Sequence, residues 1–364
     1  MRRETLRVAV IGCGVGRNHI AEGYRRHPGK FRVLVLCDID EARLAAVADE
    51  FAVPRRTTVF DEVLRMDDID IVDICTPAAL HCAQILAGLA AGKDVVCEKP
   101  LVGSLAEIDR VIEAEEESPG RVMPIFQYRY GLGVRKAKRI IDAGVAGKPY
   151  LATVETAWKR TSKYYETPWR GRWETERGGV LLMHAIHSHD LITWLMGPVA
   201  SAFARVATRV NPVEVEDCGV ASLVMRSGAL ASLAATLGSH REISRLRLCY
   251  EHVTFESTHA PYSPGDDPWE IVPASPETER RIAAVLSDQR FVLRRYEGQL
   301  SAYHAALITG GALPVTLVDA RASLELLSAL YHSAATGALV ALPLAAGHPV
   351  YHGWFRPPLS SSPG

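Results

Sequence analysis

Short apolar runs alternating with helical stretches leave the first third of this chain few folds to choose from. Leu6 to Ile11 is apolar and β-branched, and it ends in the glycines of Gly12-Cys13-Gly14-Val15-Gly16. A helical stretch follows from about His19 to Arg26. Phe31 to Cys37 is a second apolar run, followed by Asp38 and a helical segment from Glu41 to Phe51. Ile69 to Cys75 is a third, followed by Thr76-Pro77 and a helix from Ala83 to Ala91. Asp94 to Cys97 is a fourth, and Arg121 to Phe126 reads as one more. Short apolar strands separated by helices predict a doubly wound parallel sheet with helices on both faces.

The pattern changes after about residue 124. A helix from Val134 to Ala143 closes at Gly144, a suitable C-cap. Beyond it, Tyr150 to Trp158, Val199 to Arg209, Cys218 to Met225, Ala229 to Leu237 and Arg245 to Phe255 alternate apolar and polar residues. Period-two alternation with glycine or polar breaks predicts an open, mainly antiparallel sheet. Two helical segments, Gln299 to Thr309 and Val318 to Thr336, complete an α+β pattern. The expected organisation is an α/β domain over residues 1–123 and an α+β domain over residues 124–364. The Pro-, Ser- and Asp-rich stretch from His259 to Pro276 reads as an exposed loop, and the Ser-Pro-rich tail from Pro357 as mobile.

A chain of 364 residues that is 48% hydrophobic has enough apolar surface for two cores. Its net charge of −1 gives no broad field for nucleic acid or a membrane surface. No apolar run is long enough to span a bilayer, and the N-terminus enters a strand pattern without a signal-peptide core. Of the seven cysteines, Cys37, Cys75 and Cys97 end apolar runs and lack zinc-ribbon or disulfide-scaffold spacing. They read as buried small hydrophobes, so a cytoplasmic protein is expected.

The glycine turn between a strand and a helix points to a dinucleotide. Gly12 permits the tight turn, Gly14 lets the backbone approach a pyrophosphate, and the helix after Gly16 offers free N–H groups to that anion. The usual pattern places its third glycine where this chain has Arg17, so the fingerprint is compressed. Asp38 ends the second strand roughly 20 residues on, where a carboxylate binds ribose hydroxyls and repels a 2′-phosphate. Ile39 offers no compensating positive charge, which favours NAD over NADP. Thr76, Pro77 and His81 follow the third strand at the ligand edge of such a sheet. Asp38 also has a plainer role available, as the cap of the helix from Glu41.

Two further segments carry the chemistry. Lys99, in Glu98-Lys99-Pro100, follows the fourth strand; an ammonium there can hold a substrate oxygen and stabilise a developing alkoxide. An ion pair with Glu98 is the alternative. Downstream, Gly178-Gly179 opens a helical run in which Met183, His187, Asp190 and Trp194 share one face. His187 can accept a proton near neutral pH, and Asp190 one turn on can hold its tautomer. His184, His187 and His189 also suggest a metal, but His189 points about 200° away from His187 on a helix, and no metal is expected. Lys159, Tyr164, Trp169, Arg170 and Trp173 interleave basic and aromatic side chains, suited to a sugar ring and its polar groups; Tyr128 and Arg129 join them. The alternative is an ordinary loop whose rings fill a core.

These motifs, in this order, resemble the glucose–fructose oxidoreductase and inositol dehydrogenase family, Gfo/Idh/MocA. The resemblance rests on Gly12 to His19, Asp38, Thr76-Pro77 with His81, Glu98-Lys99-Pro100, Gln127 to Arg129, Gly178 to Asp190, Pro314-Val315-Thr316 and Ala338 to Pro343. It implies a Rossmann domain followed by an open-sheet α+β domain, homodimers or homotetramers through that sheet, and hydride exchange between NAD(P) and a sugar or cyclitol. It implies Lys99 and His187 as the catalytic pair, a cis peptide before Pro100, a cofactor site lined by Val15, Ile39, Glu98 and Gln127 besides the residues above, and position 3 of a hexose as a target. Met183 stands where the family often has Asp, four residues before His187, and His184 is the available substitute. A redox-neutral glycosidase with tightly held NAD, and a non-catalytic NAD-binding regulator, remain as alternatives.

Overall fold

The computed structural model describes residues 3–288 and 293–354; the tail from Pro357 lies outside them. The chain forms two compact units. The first runs to Gly103 and takes in Glu107–Gln127 and Leu293–Ala320; the second holds Ser104–Ala106, continues from Tyr128 and resumes at Arg321. Residues 293–320 thus sit with the first unit, whereas a single division after residue 123 assigns them to the second.

The first unit is built on β1 (Leu6–Ile11), β2 (Phe31–Cys37), β3 (Arg55–Thr57), β4 (Ile71–Ile74), β5 (Asp94–Cys97) and β6 (Val122–Pro124). They form one parallel sheet in the order β3-β2-β1-β4-β5-β6. Every residue of β4 and β5 is buried, as expected of strands covered on both faces. Helices fill the connections; Asp40 caps Glu41–Phe51 by accepting from the Arg43 N–H at 3.0 Å. Three details depart from expectation. β3 was unmarked because an edge strand of two arginines and a threonine carries no apolar signal. The third run shortens to Ile71–Ile74. The first helix ends at Glu22, with a 3₁₀ turn over Tyr24–Arg26.

The second unit is built on β7 (Pro149–Lys159), β8 (Val199–Ala207), β9 (Cys218–Met225), β10 (Leu230–Thr236), β11 (Gly238–Tyr250), β12 (Val253–Glu256), β13 (Glu270–Pro273) and β14 (Val340–Ala341). Their order is β13-β12-β11-β7-β10-β9-β8-β14, antiparallel except for the β7–β10 pair. Along β9 and β10 burial alternates residue by residue, so one face meets the core and the other presents Val220, Val224 and Leu230 to solvent. The helix Ile186–Met196 packs on β7. The single run expected over Arg245 to Phe255 is a hairpin of β11 and β12. The stretch His259 to Pro276 is not wholly exposed: it contains β13 and the buried Trp269, whose indole N–H donates to the Pro264 carbonyl at 2.8 Å.

Candidate active site

In a parallel sheet every strand ends on the same edge, so the first unit gathers the residues after Ile11, Cys37, Ile74 and Cys97 along one line. Gly12 turns there with φ +92°, and a Cβ on it would lie 2.6 Å from the Cys75 carbonyl oxygen. Nothing lies within 4 Å of where a Gly14 Cβ would be, which leaves the backbone open to approach. Gly16 starts the helix Gly16–Glu22, and a Cβ there would meet Val10 Cγ1 at 2.6 Å. Gly16 therefore supplies the close helix–strand packing usually given by the third fingerprint glycine. Arg17, in the usual glycine's place, faces outward and pairs with Glu50. Val15 precedes the helix without a side-chain cap.

Asp38 accepts from the Cys13 N–H at 2.7 Å, the Asp40 N–H at 2.9 Å and the Arg43 guanidinium at 3.0 Å through both oxygens. Burial works against its ionisation, but Arg43 and the two N–H groups outweigh that and hold the carboxyl below its usual range. Ile39 is exposed and apolar as expected. Arg43 escaped the sequence argument: it sits one helical turn on and neutralises part of the charge assigned to Asp38. Its signal was the spacing Asp38 to Arg43, which brings a helix residue back over the strand end.

Thr76 donates its hydroxyl to Gln84 Oε1 at 2.6 Å, and Pro77 precedes the 3₁₀ turn Ala78–Leu80. His81 clamps two loops: its ring nitrogens lie 2.9 Å from the Pro100 carbonyl and 2.8 Å from that of Thr76. Burial holds its pKa below the usual value, although both carbonyls oppose this.

Glu98 is likewise engaged by its own unit. Its Oε1 lies 3.0 Å from His19 Nε2 and accepts from the Tyr296 hydroxyl at 3.0 Å; its Oε2 accepts from the Lys99 N–H at 3.0 Å. His19 Nδ1 lies 2.8 Å from Asp73. An imidazole held by two carboxylates is a cation. Burial opposes that charge, but Asp73 and Cys75 outweigh it and raise His19 well above its usual pKa. Ligand atoms of His19, Asp73 and Cys75 lie within 4.8 Å of one another, and hydrogen bonds account for that cluster. Gln127 donates to Tyr296 at 3.1 Å, while its buried Oε1 meets no partner among the described residues. The Lys99–Pro100 bond is cis. Cys37, Cys75 and Cys97 are buried, and burial pushes the Cys37 thiol up to about 11.

In the second unit, Gly178-Gly179 leads into a π-helical turn, Val180–His184, and then into Ile186–Met196. The run is broken at Ala185, so Met183 lies in the π turn rather than on one continuous face with His187, Asp190 and Trp194. Met183 is half-buried between buried neighbours. His187 is buried and stacks on Tyr128, with ring centroids 4.3 Å apart and planes at 23°. Asp190 accepts from Arg129 through both oxygens, at 2.8 and 2.6 Å, and the guanidinium lies over Trp194. That bidentate buried pair ties the helix to Arg129, so both the residue expected beside the substrate and the acid expected beside His187 carry a structural ion pair. His189 is wholly buried, and burial pushes its pKa down to about 4, a neutral structural residue.

The basic and aromatic segment gathers around His184. Trp158 and Tyr164 lie with ring centroids 5.8 and 5.7 Å from it. Arg160 sits over Trp158, Tyr164 and Tyr262, and Arg170 over Tyr164 and Trp169. Arg170 also donates to the Tyr164 hydroxyl. Lys159 is exposed, with its Nζ 3.4 Å from His240. Trp173 belongs to the core instead: it is buried, donates its indole N–H to the Glu214 carbonyl at 2.7 Å and packs edge-on against Tyr331.

A parallel sheet with a glycine turn, a buried carboxylate and a lysine on one edge, in a chain with an open-sheet second unit, is the make-up of a nucleotide-dependent oxidoreductase. The description "oxidoreductase family, NAD-binding Rossmann fold" matches residues 6–126, and "GFO/IDH/MocA C-terminal domain" matches residues 134–256. The chain belongs to the Gfo/Idh/MocA family. It is 31% identical over 195 residues to inositol 2-dehydrogenase of Salmonella typhimurium, covering 53% of this chain and 55% of that protein. It is 29% identical over 228 residues to the uncharacterized oxidoreductase YrbE of Bacillus subtilis, covering 61% and 64%. The chain thus spans less than two thirds of the curated relatives it matches. The WlbA dehydrogenase of Bordetella pertussis, solved with NADH and UDP-GlcNAcA, superposes with a TM-score of 0.84 at 27% identity over 95% of this chain and 100% of that one. Levoglucosan dehydrogenase with NADH and levoglucosan, at 22% identity and a TM-score of 0.82 over 93% and 100%, shares the fold.

Proposed function

We propose that this protein is an NAD-dependent dehydrogenase that oxidises a secondary hydroxyl of a sugar, glycoside or cyclitol, position 3 of a hexose being the favoured case. The observation that carries the reading is Lys99 on the same sheet edge as the glycine turn and Asp38. The first unit fits the cofactor: space at Gly14, uncapped N–H groups after Val15, the Asp38 carboxylate, and an orphaned buried amide oxygen on Gln127. NAD, when bound, supplies the hydride acceptor. His187 takes the hydroxyl proton as the carbon–hydrogen bond breaks, and its stacking on Tyr128 fixes the ring plane. Lys99 binds the same oxygen and favours its anionic form, so the carbonyl forms with its charge compensated. His184, Met183, Tyr164, Trp169 and Arg170 hold the sugar ring, with Lys159 at the rim.

The preference for NAD over NADP rests on Asp38, tempered by Arg43. A second copy of this chain is the proposed partner, seated on the outer face of the second unit's sheet. Leu151, Leu230 and Val224 align there across β7, β10 and β9, each at least 38% exposed. Buried thiols fit a reducing compartment, and no helix among the described residues is long and apolar enough to cross a membrane. NADH formation across free sugars, anhydrosugars, glycosides, inositols and sugar nucleotides, with NAD and NADP in parallel, tests the function. Reduction with one class under NAD is expected. Silence throughout, with NAD bound, contradicts it.

A further inference from the structure

The run that carries His184 and His187 begins without a local cap. Its N-cap, Gly179, has no side chain, and a helical start leaves N–H groups needing acceptors. Three of them end on one distant residue. The Gly179 N–H donates to Glu216 Oε2 at 2.9 Å, the Leu181 N–H to Oε1 at 3.1 Å, and the Val180 N–H to the Glu216 carbonyl at 2.8 Å. The Tyr331 hydroxyl completes the set, donating to Oε1 at 2.8 Å. Glu216 and Tyr331 are both buried. The glycine pair fits this arrangement and no larger residue would: a Cβ on Gly179 would lie 1.8 Å from the Glu216 carbonyl oxygen, and one on Gly178 would lie 2.3 Å from the Tyr331 hydroxyl.

Glu216 has no role in the proton transfer described above, yet it is the acceptor on which the whole turn is seated. We propose that Glu216 is a positioning residue for the proposed dehydrogenation, with Tyr331 as its support, fixing the turn Val180–His184 and through it the imidazoles of His184 and His187. The inference rests on the proposed role of His187 for its catalytic meaning, while its structural part stands apart from it. The chemistry calls for a carboxylate. Each oxygen faces at least one donor, so a carboxamide can satisfy one side only and turns its N–H₂ toward a donor on the other. Burial pushes Glu216 up to about 7, against the pull of Tyr331 and the two N–H groups.

The test is hydrogen–deuterium exchange of the full chain, with NAD affinity measured alongside, for Glu216→Gln and Tyr331→Phe. Measured at about pH 8, where Glu216 is ionised, exchange over residues 178–188 is expected to quicken about tenfold or more in Glu216→Gln, the loss of one charge-assisted hydrogen bond, and less in Tyr331→Phe. Exchange over residues 6–97 and NAD affinity stay within about twofold on the same ground. On a substrate found as above, kcat falls with KM for NAD unchanged. Unchanged exchange over 178–188 overturns the proposal, and so does uniform quickening of both units. If Glu216→Gln does not fold, Tyr331→Phe decides by the same two criteria. A wild type silent on every polyol defeats the dehydrogenase reading and leaves the exchange result to judge the positioning.

Discussion

Two glutamates, one in each unit, do comparable work by different means. Glu98 sits beside Lys99 and Glu216 seats the run that carries His187; each is buried, and each accepts a hydroxyl from a tyrosine on a late helix, Tyr296 and Tyr331. Glu98 also faces a cation, His19, which in turn faces Asp73. Among the described residues Glu216 is hydrogen-bonded by dipoles alone: backbone N–H groups and a hydroxyl. An ion pair compensates a buried carboxylate, whereas dipoles leave part of the desolvation cost standing. The proposed ammonium site is thus anchored by charge and the proposed base by a turn whose anchor titrates near neutrality.

Lys99→Met removes the group that stabilises the forming anion and is expected to lower kcat about a thousandfold with NAD affinity little changed; steady-state kinetics and NAD titration check it. His19→Asn leaves Asp73 and Glu98 facing each other uncompensated, and is expected to cost about 3 kcal/mol or more of stability in urea unfolding. A smaller loss would mean that Glu98 is held by its dipolar donors, Tyr296 and the Lys99 N–H, without need of the cation. The Glu216 side predicts a pH dependence. Its carboxyl is raised from 4.5 to about 7, so folding takes up a proton in that window. The stability it contributes is complete below about pH 4.5 and is lost as pH rises through about 7, a change on the order of 3 kcal/mol. Glu216→Gln should remove that slope from unfolding measured at several pH values. Asp38→Asn is the mildest change: NAD affinity falls about tenfold, while NADP gains relative to NAD because Arg43 is released.

What the sequence revealed divides along the same line. β1, β2 and β5 were legible to the residue because strands covered on both faces are mostly apolar, even where β2 exposes Arg32. The placement of the glycine turn, Asp38, Lys99 and His187 at element boundaries was legible because each has a local signature. The supports were not. Glu216 stands between two strand patterns, and its partners lie 35 or more residues away along the chain, a pairing that no local period records. His19 was visible only as the end of the glycine motif, and Tyr296 lies 198 residues from the glutamate it serves. In the sequence Trp173 looks like a sugar-binding ring because composition cannot tell an aromatic that faces a ligand from one that faces Tyr331. The break at Ala185 was hidden too, since a π turn and an α-helix share nearly the same pattern of apolar residues.

The most direct measurement sets wild type and His187→Ala side by side for NAD affinity and for NADH formation on the polyol that gives a signal. The account predicts NAD affinity unchanged within about twofold and turnover lowered about a hundredfold or more. Retained turnover, or loss of NAD binding in place of turnover, would contradict it.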